Sequence, residues 1–167
     1  MALLPPRIES LAGHHNRQAF YCGKDSLDAY IQRQAGQDSR RRVARVFVAI
    51  DDHKPTAILG FYTLSATSVE ARTLPPELAH QLPNYPLPAA LIGRLAVDQR
   101  YQGKNLGRYL LVDALARTVS ASSSIAIYAV VVDAINEHAE TLYEKYGFLK
   151  LPGVTRRLFI PLKTITS

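Results

Sequence analysis

The sequence predicts an α/β (α+β) protein built on a mixed sheet with helices on both faces. Three observations carry this. Residues 89–132 read strand, helix, strand, and a crossover of that length joins parallel strands in the right-handed sense. Residues 43–69 read as two apolar, β-branched arms around a turn, which is a hairpin. Residues 125–132, Ile-Ala-Ile-Tyr-Ala-Val-Val-Val, are apolar without alternation, as in a strand covered on both faces.

The chain has 167 residues and 47% of them are apolar. That length suits one domain over residues 1–167, burying about 70% of the surface of the unfolded chain. Residues 7–11 are a short first strand. Residues 26–37 are a helix, with Leu27, Tyr30, Ile31 and Gln34 on one stripe and Asp25 as N-cap. Residues 43–50 form a strand, 51–55 a turn ending in Pro55, and 57–69 the returning arm. Pro75, Pro76, Pro83, Pro86 and Pro88 bracket a short helix at 77–81 and a surface loop. Residues 89–97 are the next strand. Residues 106–119 are a helix with Leu106, Leu110, Ala114 and Leu115 inward. Strand 125–132, helix 136–146 and strand 158–162 complete the chain.

Lys and Arg number 20 against 14 Asp and Glu, a net charge of +6, and the pI is near 9.6. A basic chain favours anionic partners such as nucleotides, coenzymes or nucleic acid. The charge is clustered at Arg40, Arg41, Arg42 and Arg45, at Arg100, Lys104 and Arg108, and at Arg156-Arg157. Each cluster reads either as an anion site or as a solvated face. Cys22 is the single cysteine, which excludes an intrachain disulfide and fits a reducing cytoplasm. With no adjacent base, it reads as a packed thiol. No Cys/His spacing fits zinc, and His14-His15 reads as a solvated loop, so no metal is expected. Met1-Ala-Leu-Leu-Pro-Pro is too short for a signal peptide. No apolar run reaches the ~20 residues of a membrane span. A cytoplasmic protein without a membrane partner is expected.

The most informative stretch is residues 94–108, Arg-Leu-Ala-Val-Asp-Gln-Arg-Tyr-Gln-Gly-Lys-Asn-Leu-Gly-Arg. An apolar strand runs into a glycine-bearing turn at which a helix starts. Such a turn aims several N–H groups at one point beside the positive end of a helix dipole, and so suits a pyrophosphate. A P-loop would need Gly-x-x-x-x-Gly-Lys-Ser/Thr, which Gly103 does not begin. A dinucleotide fingerprint would need Gly-x-Gly-x-x-Gly, but the spacing is Gly103-x-x-x-Gly107 and no acid follows ~20 residues on. The acyl-coenzyme A turn, Gln/Arg-x-x-Gly-x-Gly/Ala, fits Arg100-Tyr-Gln-Gly103-Lys-Asn105, with Asn105 where Gly or Ala is usual. Asn tolerates a left-handed backbone better than other non-glycine residues.

With that turn, residues 89–148 resemble the GNAT superfamily of N-acetyltransferases. The segment Asn136-Glu-His-Ala-Glu-Thr-Leu-Tyr143-Glu-Lys-Tyr-Gly147-Phe148 resembles the family's closing helix, which ends in Tyr-x-x-x-Gly-Phe. By spacing alone, Tyr143 is a core residue on the stripe Ala139, Leu142, Tyr143, Tyr146, Asn136 is a helix N-cap, and Gly147 is a C-cap with φ > 0. The resemblance implies more. The sheet has six or seven strands. Acetyl-CoA is the cofactor. Its pyrophosphate lies on Arg100, Gln102, Gly103, Lys104, Asn105, Leu106, Gly107 and Arg108, and its pantetheine pairs with the main chain of Leu95, Ala96 and Val97. Asn136 contacts the coenzyme, and Tyr143 is the acid that protonates the leaving thiolate.

Residues 93–97 offer no carboxylate or histidine, and Asp98 stands at the strand's mouth. A lysine acceptor, with pKa about 10.4, would want a base; an α-amine, at about 7.7–8.0, is already partly neutral at pH 7. The absence leans towards an α-amine. The stretches Phe20-Tyr-Cys-Gly23, Leu27-Asp-Ala-Tyr-Ile31, 41–47, Tyr85-Pro-Leu-Pro88 and Ile92-Gly-Arg-Leu-Ala-Val-Asp98 resemble the acetyltransferase toxins of type II toxin–antitoxin pairs. That resemblance implies acetylation of the α-amine of aminoacyl-tRNA, a ribbon–helix–helix antitoxin and a homodimer. Arg40, Arg41, Arg42, Arg45 and Arg94 are then the candidates for tRNA phosphates, with a buried ion pair as the equal alternative for Arg94 and with Arg156 and Arg157 behind them. A small-amine or protein N-terminal acetyltransferase, and a coenzyme-binding module without chemistry, are the rival readings.

Overall fold

The computed structural model describes residues 5–166, so Met1–Leu4 and Ser167 lie outside the described residues. In chain order the elements are β1 (Arg7–Ser10), α1 (Asp25–Ala29), a π-turn (Tyr30–Gln34), α2 (Ala35–Arg40), β2 (Arg45–Ile50), β3 (Gly60–Val69), α3 (Pro76–Ala79), β4 (Leu87–Val97), α4 (Leu106–Ala121), β5 (Ala129–Asp133), α5 (Glu137–Lys145), β6 (Leu149–Lys150), β7 (Arg157–Pro161) and α6 (Leu162–Thr166). The strands form one seven-stranded sheet in the order β1-β2-β3-β4-β5-β7-β6. β4 and β5 are parallel, as the crossover predicts, and pairs β1–β2, β2–β3, β5–β7 and β6–β7 are antiparallel.

The described chain divides into two compact units, each drawn from two separate stretches. One comprises the residues through Ser65 together with Arg94–Ala114. Its core joins Phe20, Leu27, Tyr30 and Ile31 to Val46, Val48, Ile50, Phe61 and Ala96. The other comprises Ala66–Gly93 and the described residues from Leu115 onward. Its core joins Val69, Leu74, Leu87 and Ala89 to Ala129, Val131, Leu151 and Phe159.

Local departures from expectation have local causes. Asp25 is not the N-cap: Gly23 turns the chain at φ 90°, Lys24 takes the cap position without a side-chain bond, and Asp25 opens the helix. Asp28 reaches back instead, and its Oδ1 accepts the Cys22 N–H at 2.8 Å. The π-turn inserts an extra residue per turn, so Ala35 faces inward and Gln34 is exposed. On α4 the inward face is Leu106, Leu110, Leu111, Ala114 and Thr118, with Leu115 half-buried. The strand expected over 125–132 begins only at Ala129, and Ile125 is exposed. Its partner explains this. The β4–β5 register starts at Ala89↔Ala129, and Pro86 and Pro88 have no N–H with which to extend it.

Gly60 permits the closest backbone approach. A Cβ there would lie 2.9 Å from the Ala96 carbonyl oxygen and 2.9 Å from Leu110 Cδ1. The carbonyl belongs to β4 and cannot move alone. Gly60→Ala is therefore expected to destabilise the protein by roughly 1–3 kcal/mol, read as a lower urea midpoint at unchanged slope.

Candidate functional site

The turn after β4 is braced from below by a buried carboxylate. Asp98 is 1% exposed. Its Oδ1 accepts the Arg100 main-chain N–H at 3.0 Å and Nε–H at 2.9 Å. Its Oδ2 accepts from Arg100 Nη2 and from the Tyr21 N–H, both at 3.2 Å. Burial alone would raise the carboxyl's pKa, but the Arg100 and Tyr21 hydrogen bonds and the Arg100 charge outweigh it and hold it low. Thus the Arg100 guanidinium first sets the turn, leaving Nη1 as the donor not engaged by Asp98. The Gln102 amide likewise ties the turn down, donating to the Val97 carbonyl at 2.9 Å and the Cys22 carbonyl at 3.0 Å.

Above this brace the chain rises through Gly103 at φ 80° and Asn105 at φ 64°. Asn105 thus adopts a left-handed conformation, which Asn tolerates better than other non-glycine residues. Gln102, Gly103, Lys104, Asn105 and Arg108 are exposed, Gly107 is half-buried and Leu106 is buried. The Tyr109 N–H donates to the Asn105 carbonyl at 3.3 Å, so the N–H groups ahead of it have no intrahelical acceptor. They form an open concavity at the positive end of α4, a helix of 16 residues.

The strand before the turn offers fewer groups than expected. The Ala96 carbonyl faces Gly60, and the Asp98 N–H donates to the Leu59 carbonyl at 2.8 Å. Main-chain groups alternate along a strand, so those of Leu95 and Val97 turn away from β3. The Val97 carbonyl is taken by Gln102. By this alternation the Leu95 N–H and C=O and the Val97 N–H lie on the side away from β3, and the Ala96 carbonyl lies on the side facing it. The β4–β5 register ends at Ile92↔Val132, while β4 itself runs on to Val97.

In the other unit, α5 is closed at both ends as its residues dictate. Asn136 Oδ1 accepts the Ala139 N–H at 2.9 Å. At the far end Gly147 sits at φ 96°, its N–H donates to the Glu144 carbonyl at 3.1 Å, and the Phe148 N–H donates to the Tyr143 carbonyl at 3.3 Å. That is a Schellman cap, and its usual apolar contact is the Tyr143–Phe148 ring pair, 5.7 Å apart. Tyr143 is the buried residue of α5, while Leu142 is exposed, so the expected apolar stripe narrows to one aromatic. Burial, and then the Asp133 carboxylate, push the Tyr143 hydroxyl up to about 12. Asp133 is held by Arg157, with Nε to Oδ1 at 2.8 Å and Nη2 to Oδ2 at 3.1 Å.

Arg40, Arg41, Arg42 and Arg45 are all exposed around the end of α2. Arg42 takes the left-handed position of that helix's own Schellman cap, at φ 60°. Its N–H donates to the Ser39 carbonyl at 3.2 Å, and the Val43 N–H donates to the Asp38 carbonyl at 3.0 Å. Arg94 does not form the buried ion pair that its place on the strand allows. Its guanidinium carbon lies 3.7 Å from the centroid of the Tyr30 ring, whose hydroxyl donates to Asp38 at 2.8 Å.

Residues 42–150 match the acetyltransferase (GNAT) domain family. The chain belongs to the GNAT acetyltransferases. It is 33% identical to the probable toxin TacT of Sinorhizobium fredii, over 92% of this chain and 88% of that one. It is 34% identical to the tRNA-acetylating toxin of Mycobacterium tuberculosis, over 87% and 85%. The solved structure of AtaT complexed with acetyl-methionyl-tRNAfMet superposes with a TM-score of 0.90 at 30% identity, covering 96% of both chains. AtaT bound to the C-terminus of the antitoxin AtaR and acetyl-CoA gives a TM-score of 0.82 at 28% identity, again over 96% of both.

In this GNAT chain one smaller expectation is corrected and another, the packed Cys22 thiol, is met. His14-His15 is no solvated loop, because His15 is 4% exposed. With Glu9 these histidines place three ligand-type atoms within 4.8 Å of one another. Yet His15 Nδ1 accepts the Ala12 N–H at 2.9 Å, which leaves the proton on Nε2, and Nε2 donates to Glu9 Oε2 at 2.8 Å. A metal would have to displace that proton, so the group reads as a hydrogen-bonded pair with His14 beside it. Cys22 is buried, and burial first of all pushes its thiol up to about 11, so it is no nucleophile. Asp98, Asp133 and Gln102 act as braces, roles that no local pattern announces. The one available signal was position, since Asp98 and Asp133 each close an apolar strand. No helix among the described residues is long and apolar enough to cross a membrane.

Proposed function

We propose that this acetyltransferase moves the acetyl group of acetyl-CoA onto the α-amino group of an aminoacyl-tRNA, and so acts as a toxin against translation. The observation that carries the reading is Arg42. An arginine stands in a left-handed cap where glycine would be unstrained, inside an exposed cluster of four arginines. The names of the relatives point the same way. By the same likeness the chain is expected to pair with a ribbon–helix–helix antitoxin and to form a homodimer in the cytoplasm.

The residues present fit the coenzyme. The turn is open, with no heavy atom within 4 Å of a Cβ built on Gly103. Bound acetyl-CoA supplies an acetyl group activated as a thioester. The main-chain N–H groups of Gln102 to Arg108, with Lys104 and Arg108, hold the pyrophosphate. Leu95 and Val97 offer a strand edge for the pantetheine, and their N–H groups polarise the acetyl carbonyl, worth about 3 kcal/mol per donor. Asn136 contributes its amide beyond its cap bond. Tyr143 donates its hydroxyl proton towards the departing sulfur and regains one from the attacking nitrogen, so one proton moves from N to S overall. The amine arrives neutral without a dedicated base, since its pKa of about 7.7–8.0 lies close to working pH. Arg40, Arg41, Arg42, Arg45 and Arg94 hold the acceptor's phosphates.

Purified protein with labelled acetyl-CoA and a pool of charged tRNA is expected to yield acetylated α-amine. Label only on small amines or protein N-termini would overturn the substrate. Replacing Arg40, Arg41 and Arg42 with alanine is expected to lower kcat/KM for charged tRNA. The same change should flatten its salt dependence by about 0.7–0.9 log units for each phosphate no longer neutralised. The KM for acetyl-CoA stays unchanged. Arg42→Gly alone is expected to raise stability by roughly 1 kcal/mol while weakening tRNA binding.

A further inference from the structure

Arg156 is held at a cost to the fold that no step above explains. It stands in the loop between β6 and β7 at φ 61°, a region that strains any residue with a Cβ. Its carbonyl accepts the Ala134 N–H at 2.8 Å, which pins it to the end of β5. Its Nη1 is buried and has no hydrogen-bond partner among the described residues. The carboxylate at that end of β5, Asp133, is already engaged on both oxygens by Arg157. So a guanidinium sits on a strained backbone with a buried N–H unsatisfied and its natural counter-ion taken. Glycine would remove both penalties. A group kept in such a state points to a ligand that satisfies it.

The ligand is an anion, and a planar fork of donors suits a phosphodiester. Tyr143 lies close enough to Asp133 for that carboxylate to raise its pKa, so the proton donor and Arg156 belong to the same end of β5. We propose that Arg156 is a positioning residue that grips a phosphodiester of the acceptor's single-stranded 3′ end, next to the ester that carries the amino acid. This rests on the aminoacyl-tRNA reading and names the part of the substrate that the site measures.

The test compares two acceptors. One is charged tRNA. The other is an aminoacyl-adenosine analogue with the same amine and no phosphodiester. Arg156→Gly is expected to raise the KM for charged tRNA about tenfold, to leave the analogue within about twofold, and to lower the salt slope by about one unit. Its melting temperature is expected to stay level or rise. Arg156→Lys keeps the charge without the fork and is expected to recover only part of the loss. Equal losses on both acceptors, or a lower melting temperature with unchanged KM, would overturn the proposal. If Arg156→Gly does not fold, Arg156→Lys carries the same comparison, and equal KM changes on the two acceptors overturn it. Wild-type protein that acetylates the analogue but no charged tRNA would instead remove the substrate reading, and this inference with it.

Discussion

Tyr143→Phe is expected to lower kcat by roughly 100- to 10,000-fold, the range for loss of a positioned proton donor, while acetyl-CoA binds within about twofold of wild type. The fold does not need the hydroxyl. What α5 buries is the ring, edge-on to Phe148 across a Schellman cap, and phenylalanine keeps that packing. The structure also alters the expected role. At its ordinary value of about 10 the phenol lies modestly above a thiol at about 8.5. Burial and Asp133 carry it to about 12. Full transfer to a free thiolate is then uphill by about three to four pKa units, several kcal/mol. In the proposed mechanism Tyr143 is then expected to serve as a neutral hydrogen-bond donor whose proton is replaced as it leaves. The sign of the pH dependence follows. The raised pKa keeps the donor protonated throughout the range in which the amine titrates. The rate is expected to climb once, near the amine's pKa of about 7.7–8.0 or lower for an aminoacyl ester, and then to stay level past pH 10. The phenylalanine variant should keep that climb at its reduced rate. A fall in kcat of less than about threefold would remove Tyr143 from the chemistry, and a descending limb near pH 9 in wild type would overturn its raised pKa.

Features whose causes lie within a few residues were legible in the sequence. Asn136 caps α5 because Ala139 is three residues on, and Gly147 ends it because the next turn needs φ > 0. The phosphate turn is of the same kind, and Asn105 takes the left-handed backbone its side chain tolerates. Features that depend on distant partners were not. Asp98 answers to Tyr21, 77 residues away, and no spacing rule connects them. The apolar run over 125–132 does not show where its ladder stops; that is decided by prolines on another strand. β6 has two residues, too few to carry a period. The π-turn in the first helix has no composition of its own. Most consequentially, φ is not written in a side chain. The non-glycine residues at positive φ among those described are Arg42, Asn105 and Arg156. Asn105 falls in the turn the sequence marks as an anion site, and Arg42 and Arg156 fall in basic clusters it leaves open between an anion site and a solvated face; the strain at all three appears only in the backbone.

Gly103→Val is expected to weaken acetyl-CoA binding at least about tenfold by calorimetry. A left-handed backbone costs about 1–2 kcal/mol for any side chain and more for a β-branched one, and about 1.4 kcal/mol is a factor of ten. No described atom lies within 4 Å of a Cβ at this position, so the loss comes from the backbone and not from a clash. The turn either stores the strain or abandons φ 80°, and in the second case its N–H groups no longer converge. Asn105→Gly is the matching variant in the opposite direction. At φ 64° glycine is unstrained, and it removes a side chain from the cradle, so affinity is expected to hold or rise slightly. Asn105→Val should behave like Gly103→Val. If Asn105→Gly instead loses tenfold, the amide itself holds the coenzyme, a role that the Gly or Ala usual in this motif has no amide side chain to fill. If Gly103→Val binds normally, the pyrophosphate does not rest on this loop, and the placement of Lys104 and Arg108 around it fails too.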